Sequence, residues 1–387
     1  VANTPALFDP AGSTVSVPEP AYRWRFGDGS LPGFRDRPVH AYLLPGGYRP
    51  ALTLFDGLGQ SAYAAVPVRW KDGQGRDPPS VSIQTGPLEA RDGLDVALVA
   101  AVQNGSSQAV AAQWSLGNGS GADGASANAT YLPGRYWATA SAVDSNGLPA
   151  TDKVEIAVSR DDKVPPHCLA AADPVVAFIG SGTSVKVDWV GIVSPGSRPL
   201  TSVAWNIDGT PSLTAATSRT YPVTGWHHGA LTVVDEEGLR CTDTVAVLVV
   251  GPGDTVASAP PRILDPGLNG TSVCGQEYTG RAALASGSGP LTWSLPSSAQ
   301  GMAVDTATGV LHWTPPPVSG VDHSTYALQV QGPSGTDKVS VDLPYSCPDD
   351  LSFKTLCGCG AGGGEAAAAG LIALGLWALR ARARRRR

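Results

Sequence analysis

A pattern of one tryptophan, one tight-turn dipeptide, one tyrosine and one aspartate returns about every 90 residues, and it limits this chain to a small set of folds. Tyr22-Arg-Trp24-Arg-Phe-Gly-Asp28-Gly-Ser30 recurs as Gln113-Trp114-Ser-Leu-Gly-Asn118-Gly-Ser120, with an outline at Ala204-Trp205-Asn-Ile-Asp208-Gly209. Downstream, Tyr48 and Asp56 keep the separation of Tyr136 and Asp144, and in the third copy His227 stands where the tyrosine stood, ahead of Asp235. A period of this length suits arrayed sandwich domains, since solenoid repeats are much shorter. A tryptophan on a strand fills the space between two sheets, and Asp-Gly or Asn-Gly closes a tight hairpin turn. Tyr48, Pro50, Leu52 and Leu54 share one strand face by period two, as do Tyr136, Ala138, Ala140 and Ala142.

These residues resemble PKD domains, an immunoglobulin-like β-sandwich family common on bacterial surfaces. The first copy carries the fullest set: Trp24, Phe26 to Ser30, His40-Ala-Tyr42, Gly47-Tyr48 and Asp56 to Gly59. The second has Asn118 in place of the aspartate and no counterpart of His40, which the resemblance makes structural. The third keeps only the outline. A fourth unit, with Trp293, Asp305 to Gly309, Trp313 and Tyr326 to Val330, resembles cadherin-like immunoglobulin-type domains of bacterial surface proteins.

The chain has 387 residues, 47 glycines, 33 prolines, one methionine and only 16% charged residues, a profile of many short strands joined by turns. The expected fold is all-β: tandem immunoglobulin-like β-sandwiches in an extended array, followed by a short C-terminal apolar helix. The expected units are 1–72 and 78–160, both PKD-like, 164–251, a degenerate PKD or immunoglobulin-like sandwich, and 259–347, cadherin-like; 348–387 is tail. Proline in the joints (Pro78-Pro79, Pro165-Pro166, Pro260-Pro261) stiffens them, which predicts a rod.

Cys168 and Cys241 bracket the third unit, and Cys274 and Cys347 the fourth. Both pairs read as disulfides in an oxidising compartment. The alternative is four buried thiols; zinc is disfavoured because no short-spaced ligand pair accompanies them.

The tail carries the clearest address. Cys357-Gly-Cys359 and a glycine run precede the charge-free stretch from Ala366 to Leu379, and six arginines end the sequence at Arg387. The apolar stretch is shorter than the roughly 20 residues that span a bilayer comfortably, and the arginines stay on the cytoplasmic side. This order resembles the MYXO-CTERM signal of exported myxobacterial proteins. The resemblance implies a temporary hold in the membrane and processing by a sorting protease near Cys357 or Cys359, without saying which. A permanent single anchor is the plainer alternative. An export signal is expected either to have been removed or to lie ahead of Val1.

Without the six tail arginines the formal charge falls from −6 to −12, which argues against nucleic acid as a partner. No nucleophile elbow, zinc-protease helix or phosphate loop stands out, so no catalytic residue or bound organic cofactor is expected. His227-His228 looks like a ligand pair, but adjacent strand residues point to opposite faces. Calcium is the one metal the sequence puts forward, through Asp161, Asp162, Asp235, Glu236, Glu237 and Asp322; solvated turn carboxylates are the commoner fate of such residues. Trp70, Trp137, Trp189 and Trp226 lie outside the repeated tryptophan slots, and Trp137, out of phase with Tyr136, faces away from its own core. They are candidates for stacking on a sugar, or for packing on a neighbouring domain.

The sequence thus predicts a non-enzymatic cell-surface protein, anchored or sorted through its tail, that presents immunoglobulin-like domains for adhesion or for binding surface polysaccharide or protein. The alternative is the accessory stalk of a secreted hydrolase whose catalytic domain lies upstream of Val1.

Overall fold

Strand pairing follows directly from the repeat. Gly134–Val143 runs antiparallel to Pro149–Ser159, and Gly225–Asp235 runs antiparallel to Arg240–Val250. Each hairpin turns on its repeat aspartate: Asp144 Oδ1 accepts the backbone N–H groups of Asn146 and Leu148, and Asp235 Oδ1 those of Glu237 and Leu239. A short side chain that satisfies two turn amides fixes the loop without a ligand. The computed structural model describes residues 4–10, 20–56, 61–251, 260–268, 272–287, 289–317 and 321–347. They are all-β, organised as tandem immunoglobulin-like sandwiches, with no helix among them. The predicted C-terminal helix, Cys357, Cys359 and the arginine cluster lie outside the described residues.

Four apolar cores succeed one another along the chain. The first gathers Trp24, Phe26, Tyr42, Leu52 and Leu54; the second Ile83, Leu98, Trp114, Tyr131 and Ile156. The third gathers Trp189, Trp205, Leu231 and Val247 around Cys168 and Cys241; the fourth Trp293, Leu311, Trp313, Tyr326 and Tyr345. We call these sandwiches one to four. Trp24, Trp114, Trp205 and Trp293, the repeated tryptophans, are all buried, and each large apolar side chain so placed contributes on the order of 1.5–3 kcal/mol. Both expected disulfides are formed, Cys168–Cys241 and Cys274–Cys347.

The arrangement of the sandwiches corrects one expectation. Residues 1–349 form a single compact unit, not an extended rod. Backbone bridges carry one sheet of sandwich one into sandwich two at Gly47 and Ala150, and on into sandwich three at Arg135 and Cys241. Gly47 permits the first of these joints, since a Cβ there would lie 2.2 Å from the Pro79 carbonyl oxygen. Apolar contact adds to it: Leu43 and Leu44 of sandwich one pack on Val176, Trp226, Leu248 and Val250 of sandwich three. Stiff proline joints restrict the chain locally, but they do not prevent a turn that brings such faces together.

Candidate functional site

The joints between sandwiches are built on a second repeat. Thr151-Asp-Lys-Val154, Thr242-Asp-Thr-Val245 and Thr336-Asp-Lys-Val339 begin the last strands of sandwiches two, three and four. The three aspartate side chains are 3%, 0% and 0% exposed. Each accepts the amide of the residue after it, and each also accepts an amide from the first strand of its own sandwich. For Asp152 that donor is Ile83 at 2.7 Å, for Asp243 Ala170 at 2.8 Å, and for Asp337 Ile263 at 2.7 Å.

Each aspartate also takes a basic group from the preceding sandwich. Arg49 Nη1 lies 2.6 Å from Asp152 Oδ2, Lys153 pairs with Asp243, and His228 Nε2 lies 2.9 Å from Asp337 Oδ1. Sandwich one thus latches to two, two to three, and three to four. Burial pushes the Asp152 carboxyl above its ordinary value even though Arg49 draws it down. Burial likewise lowers the Lys153 ammonium, against the pull of Asp243. Where desolvation outweighs the partner's attraction, a buried pair adds little net stability; removing one member leaves a charge stranded. The latches therefore fix which face meets which.

A further charged cluster joins three sandwiches. Glu155 of sandwich two pairs with Arg135 and lies 3.5 Å from His167 of sandwich three, whose Nε2 is 3.0 Å from Arg23 Nη1 of sandwich one. Burial holds the His167 pKa down at about 4, with Glu155 opposing. The neighbouring His167, Arg135 and Arg23 hold the Glu155 carboxyl below its usual value, although burial acts the other way. Trp137 also reaches across this joint: its Nε1 donates to the Cys168 carbonyl at 3.0 Å, and Arg25 lies 4.6 Å from its ring centre.

Where the four sandwiches meet they line a partly open cavity of about 790 Å³. Arg25, Arg49, Lys153, Asp208, Trp226, His228 and Arg262 are among its lining residues. Such a volume lies in the range of organic-ligand pockets.

The candidates chosen from sequence fare differently. Trp137 does face away from its own core, but it is buried against sandwich three, with 4% exposure. Trp189 is fully buried in the core of sandwich three, Trp226 is 8% exposed and Trp70 is half-buried against the core of sandwich one. None of the four is the exposed stacking platform that sugar binding would require. His227 and His228 diverge as strand geometry demands, the first to Asp208 at 2.8 Å and the second to Asp337. His40 pairs with Asp28 at 2.8 Å and stacks on Phe26. Of the calcium candidates, Asp235 caps its own turn, Glu237 pairs with Lys163 at 3.0 Å and Arg198 at 3.4 Å, and the Asp161 amide donates to Asp92 Oδ1. Asp162 lies in the same turn as Asp161, Glu236 donates its amide to the Pro199 carbonyl, and Asp322 sits on the strand Val321–Gly332. Among the described residues no group of three or more His, Cys, Asp or Glu could hold a metal ion. Sequence reasoning missed the latch aspartates; the recurring Thr-Asp-x-Val was the signal that could have found them.

No family model matches the chain, and no curated protein matches it. Similar solved structures are tandem β-domain proteins. The fibronectin(III)-like modules of Clostridium thermocellum CbhA are 18% identical, covering 44% of this chain and 94% of theirs, at a TM-score of 0.19. The human Desmocollin-1 ectodomain is 14% identical, covering 87% of this chain and 73% of its own, at 0.18. Drosophila N-cadherin EC1-4 is 10% identical, covering 87% and 94%, at 0.19. These superpositions are distant, and the fold described above rests on its own strand pairing and cores.

Proposed function

We propose that this protein is a non-enzymatic component of the cell envelope, displaying a block of PKD-like and cadherin-like sandwiches on the outer surface for adhesion or for binding surface polysaccharide or protein. The observation that carries the reading is the way four β-sandwiches are held together. Two disulfides, which suit an oxidising compartment, and three buried latches between successive sandwiches make a durable body suited to exposure outside a cell. The block presents its outer faces together, in fixed relative positions, instead of as independent beads on a string. The tail from Cys357 to Arg387 supplies the address, as a MYXO-CTERM-type signal processed near Cys357 or Cys359 by a sorting protease. Among the described residues no helix is long and apolar enough to cross a membrane; the tail lies outside them.

The test is made on cells that express the protein natively. Protease shaving of intact cells should release peptides of residues 20–347, and peptide mapping should find a mature C-terminus near Cys357 or Cys359 without the arginines. A body protected from protease in intact cells would overturn display. A surface-exposed protein that still ends at Arg387 would overturn processing and leave an anchor.

A further inference from the structure

One edge of sandwich two lacks the features that keep an edge strand from pairing with another chain. The strand Ser126–Tyr131 stands at the outer side of a three-stranded sheet, beyond Leu94–Gln103 and Ser80–Ile83. Exposed edges are commonly protected by charge, proline, a bulge or a covering segment. Ser126-Ala-Asn-Ala-Thr-Tyr131 holds no charged residue and no proline, and it pairs with Leu94–Gln103 in unbroken register. Near its middle stands Asn128, a residue type that strands disfavour.

Asn128 is exposed, and its side chain makes no hydrogen bond among the described residues. Its face is built of small groups: Ala97 lies directly opposite, and Ser126 and Thr130 flank it by period two. A shallow depression of about 400 Å³ adjoins it, lined by Asp95, Val96, Ala97, Asn128, Ala129 and Thr130. Asn128-Ala-Thr130 is also an Asn-x-Ser/Thr tripeptide, the acceptor pattern for N-linked sugar on exported proteins. The same pattern occurs at Asn104, Asn118 and Asn269, the last outside the described residues. Asn104 and Asn118 have turn roles. Asn118 Nδ2 donates to the Thr130 carbonyl at 3.1 Å while its Oδ1 accepts from the Ser120 amide and hydroxyl. Asn104 Oδ1 accepts the Ala109 amide at 3.0 Å, and the Ser106 hydroxyl accepts the Asp77 amide at 2.7 Å. Asn128 has no such task in the fold.

We propose that Asn128 is a glycosylation site, its side-chain amide the acceptor of a sugar delivered as a nucleotide- or lipid-linked phosphate ester by a transferase that reads Asn-x-Ser/Thr. Transfer joins Asn128 Nδ2 to the anomeric carbon. That carbon's bond to the phosphate oxygen breaks, the phosphate leaves with the bonding pair, and one Nδ2 proton passes to a base of the transferase. Thr130 keeps its hydroxyl on the same open face, donating to the exposed Asp95 Oδ1 at 2.6 Å. The sugar lies over the depression and the open side of the strand, giving the edge the cover that its sequence does not supply. The inference rests on the display reading, because this modification belongs to an exported chain.

The experiment is mass spectrometry of the protein recovered from cells that express it natively, beside protease shaving of the same cells. Trypsin yields one peptide, residues 92–135, that carries Asn104, Asn118 and Asn128, and electron-transfer fragmentation assigns any added sugar to one of them. Most copies should carry sugar at Asn128, and none at Asn118. Asn128→Gln and Thr130→Ala, expressed in the same cells, should each lose that mass, and Thr130→Ser should keep it. Sugar confined to other residues would overturn the proposal, as would a mass at this strand that survives Asn128→Gln. An unmodified Asn128 overturns it too, and leaves display standing where shaving releases the body; a dimer in sedimentation would then give the open edge to a second copy. A glycosylated Asn128 on a body that shaving does not release keeps the modification and overturns display alone.

Discussion

Acidification should loosen the joint between sandwiches one, two and three, and His167 is the group that makes it do so. Its Nε2 accepts from Arg23 Nη1 at 3.0 Å, which requires a neutral ring with the proton on Nδ1. Burial is the main reason its folded pKa falls to about 4; Glu155 raises it, and Arg23 and Arg135 lower it again. The unfolded value is about 6.5, so the unfolded chain takes up the proton first as pH drops. The stability carried by the neutral ring is fully present above about 6.5 and is lost as pH falls toward about 4. The gap of about 2.5 units corresponds to about 3 kcal/mol. Glu155, with its depressed pKa, acts in the same direction but lower down: its contribution is present above its ordinary value of about 4.3 and is lost beneath it. The window between about pH 6.5 and 4.5 therefore belongs to the histidine. Proton NMR titration of the six histidines reads the effect directly, with the His167 resonance assigned by its disappearance in His167→Gln. At pH 5.5 about 3% of His167 should be protonated, against about 90% of an ordinary histidine. Urea denaturation at pH 7 and pH 5 should show stability falling in the parent and a flatter response in His167→Gln. A His167 midpoint near 6.5 would refute the reasoning, as would equal pH slopes in the parent and the variant.

The latches, the glycine joint and the disulfides give further expectations. Arg49→Ala and Lys153→Ala each leave a buried aspartate unpaired and should cost about 3–5 kcal/mol, measured by thermal unfolding; losses under about 1 kcal/mol in both would mean water replaces the partner. Gly47→Val forces a side chain into the Pro79 carbonyl and should separate sandwiches one and two, seen as a larger hydrodynamic radius with the cores of both still folded. Opening Cys168–Cys241 by double serine substitution releases a loop of 73 residues and should cost about 4 kcal/mol in the chain-entropy account, with an unchanged midpoint as the contrary result. Calcium in excess of chelator should leave the unfolding midpoint unmoved, because Asp235 Oδ1 already caps its own turn, Glu237 is paired with Lys163 and Arg198, and among the described residues no group of three or more His, Cys, Asp or Glu could hold a metal ion.

Most of the fold was legible because the features that specify it are local. Periodicity-two strands, turn aspartates and buried tryptophans announce themselves within a few residues, and both disulfide pairs followed from bracketing. The packing of the sandwiches was not legible, since a face such as Leu43-Leu44 against Trp226 depends on residues far apart in sequence. The spare tryptophans stayed between stacking on a sugar and packing on a neighbouring domain for the same reason. Trp137 points out of its own core, as its phase requires, but another sandwich is waiting there. A sequence can say which way a side chain points more readily than what it meets.

The latches show how one position serves several joints with different chemistry. The residue after the repeat tyrosine is Arg49 in the first copy, Trp137 in the second and, after the histidine that replaces the tyrosine, His228 in the third. Each points away from its own core because its neighbour points in. Arg49 and His228 reach the aspartate of the following sandwich themselves. Trp137 has no charge to offer, and there Lys153 on the adjacent strand passes the ring at 5.2 Å and reaches Asp243 instead. In the third copy the residue after the latch aspartate is Thr244, not a lysine, and the histidine at the outward slot takes over the pairing. What recurs is thus a requirement at the joint, one basic group delivered to one buried carboxylate, met from whichever of two neighbouring strand positions carries it. Asp152 and Lys153 are adjacent and face opposite ways, so the acceptor of the first latch and the donor of the second are set by one strand. A shift of that strand by one residue would undo both together, which ties the register of sandwich two to the placement of the sandwiches on either side.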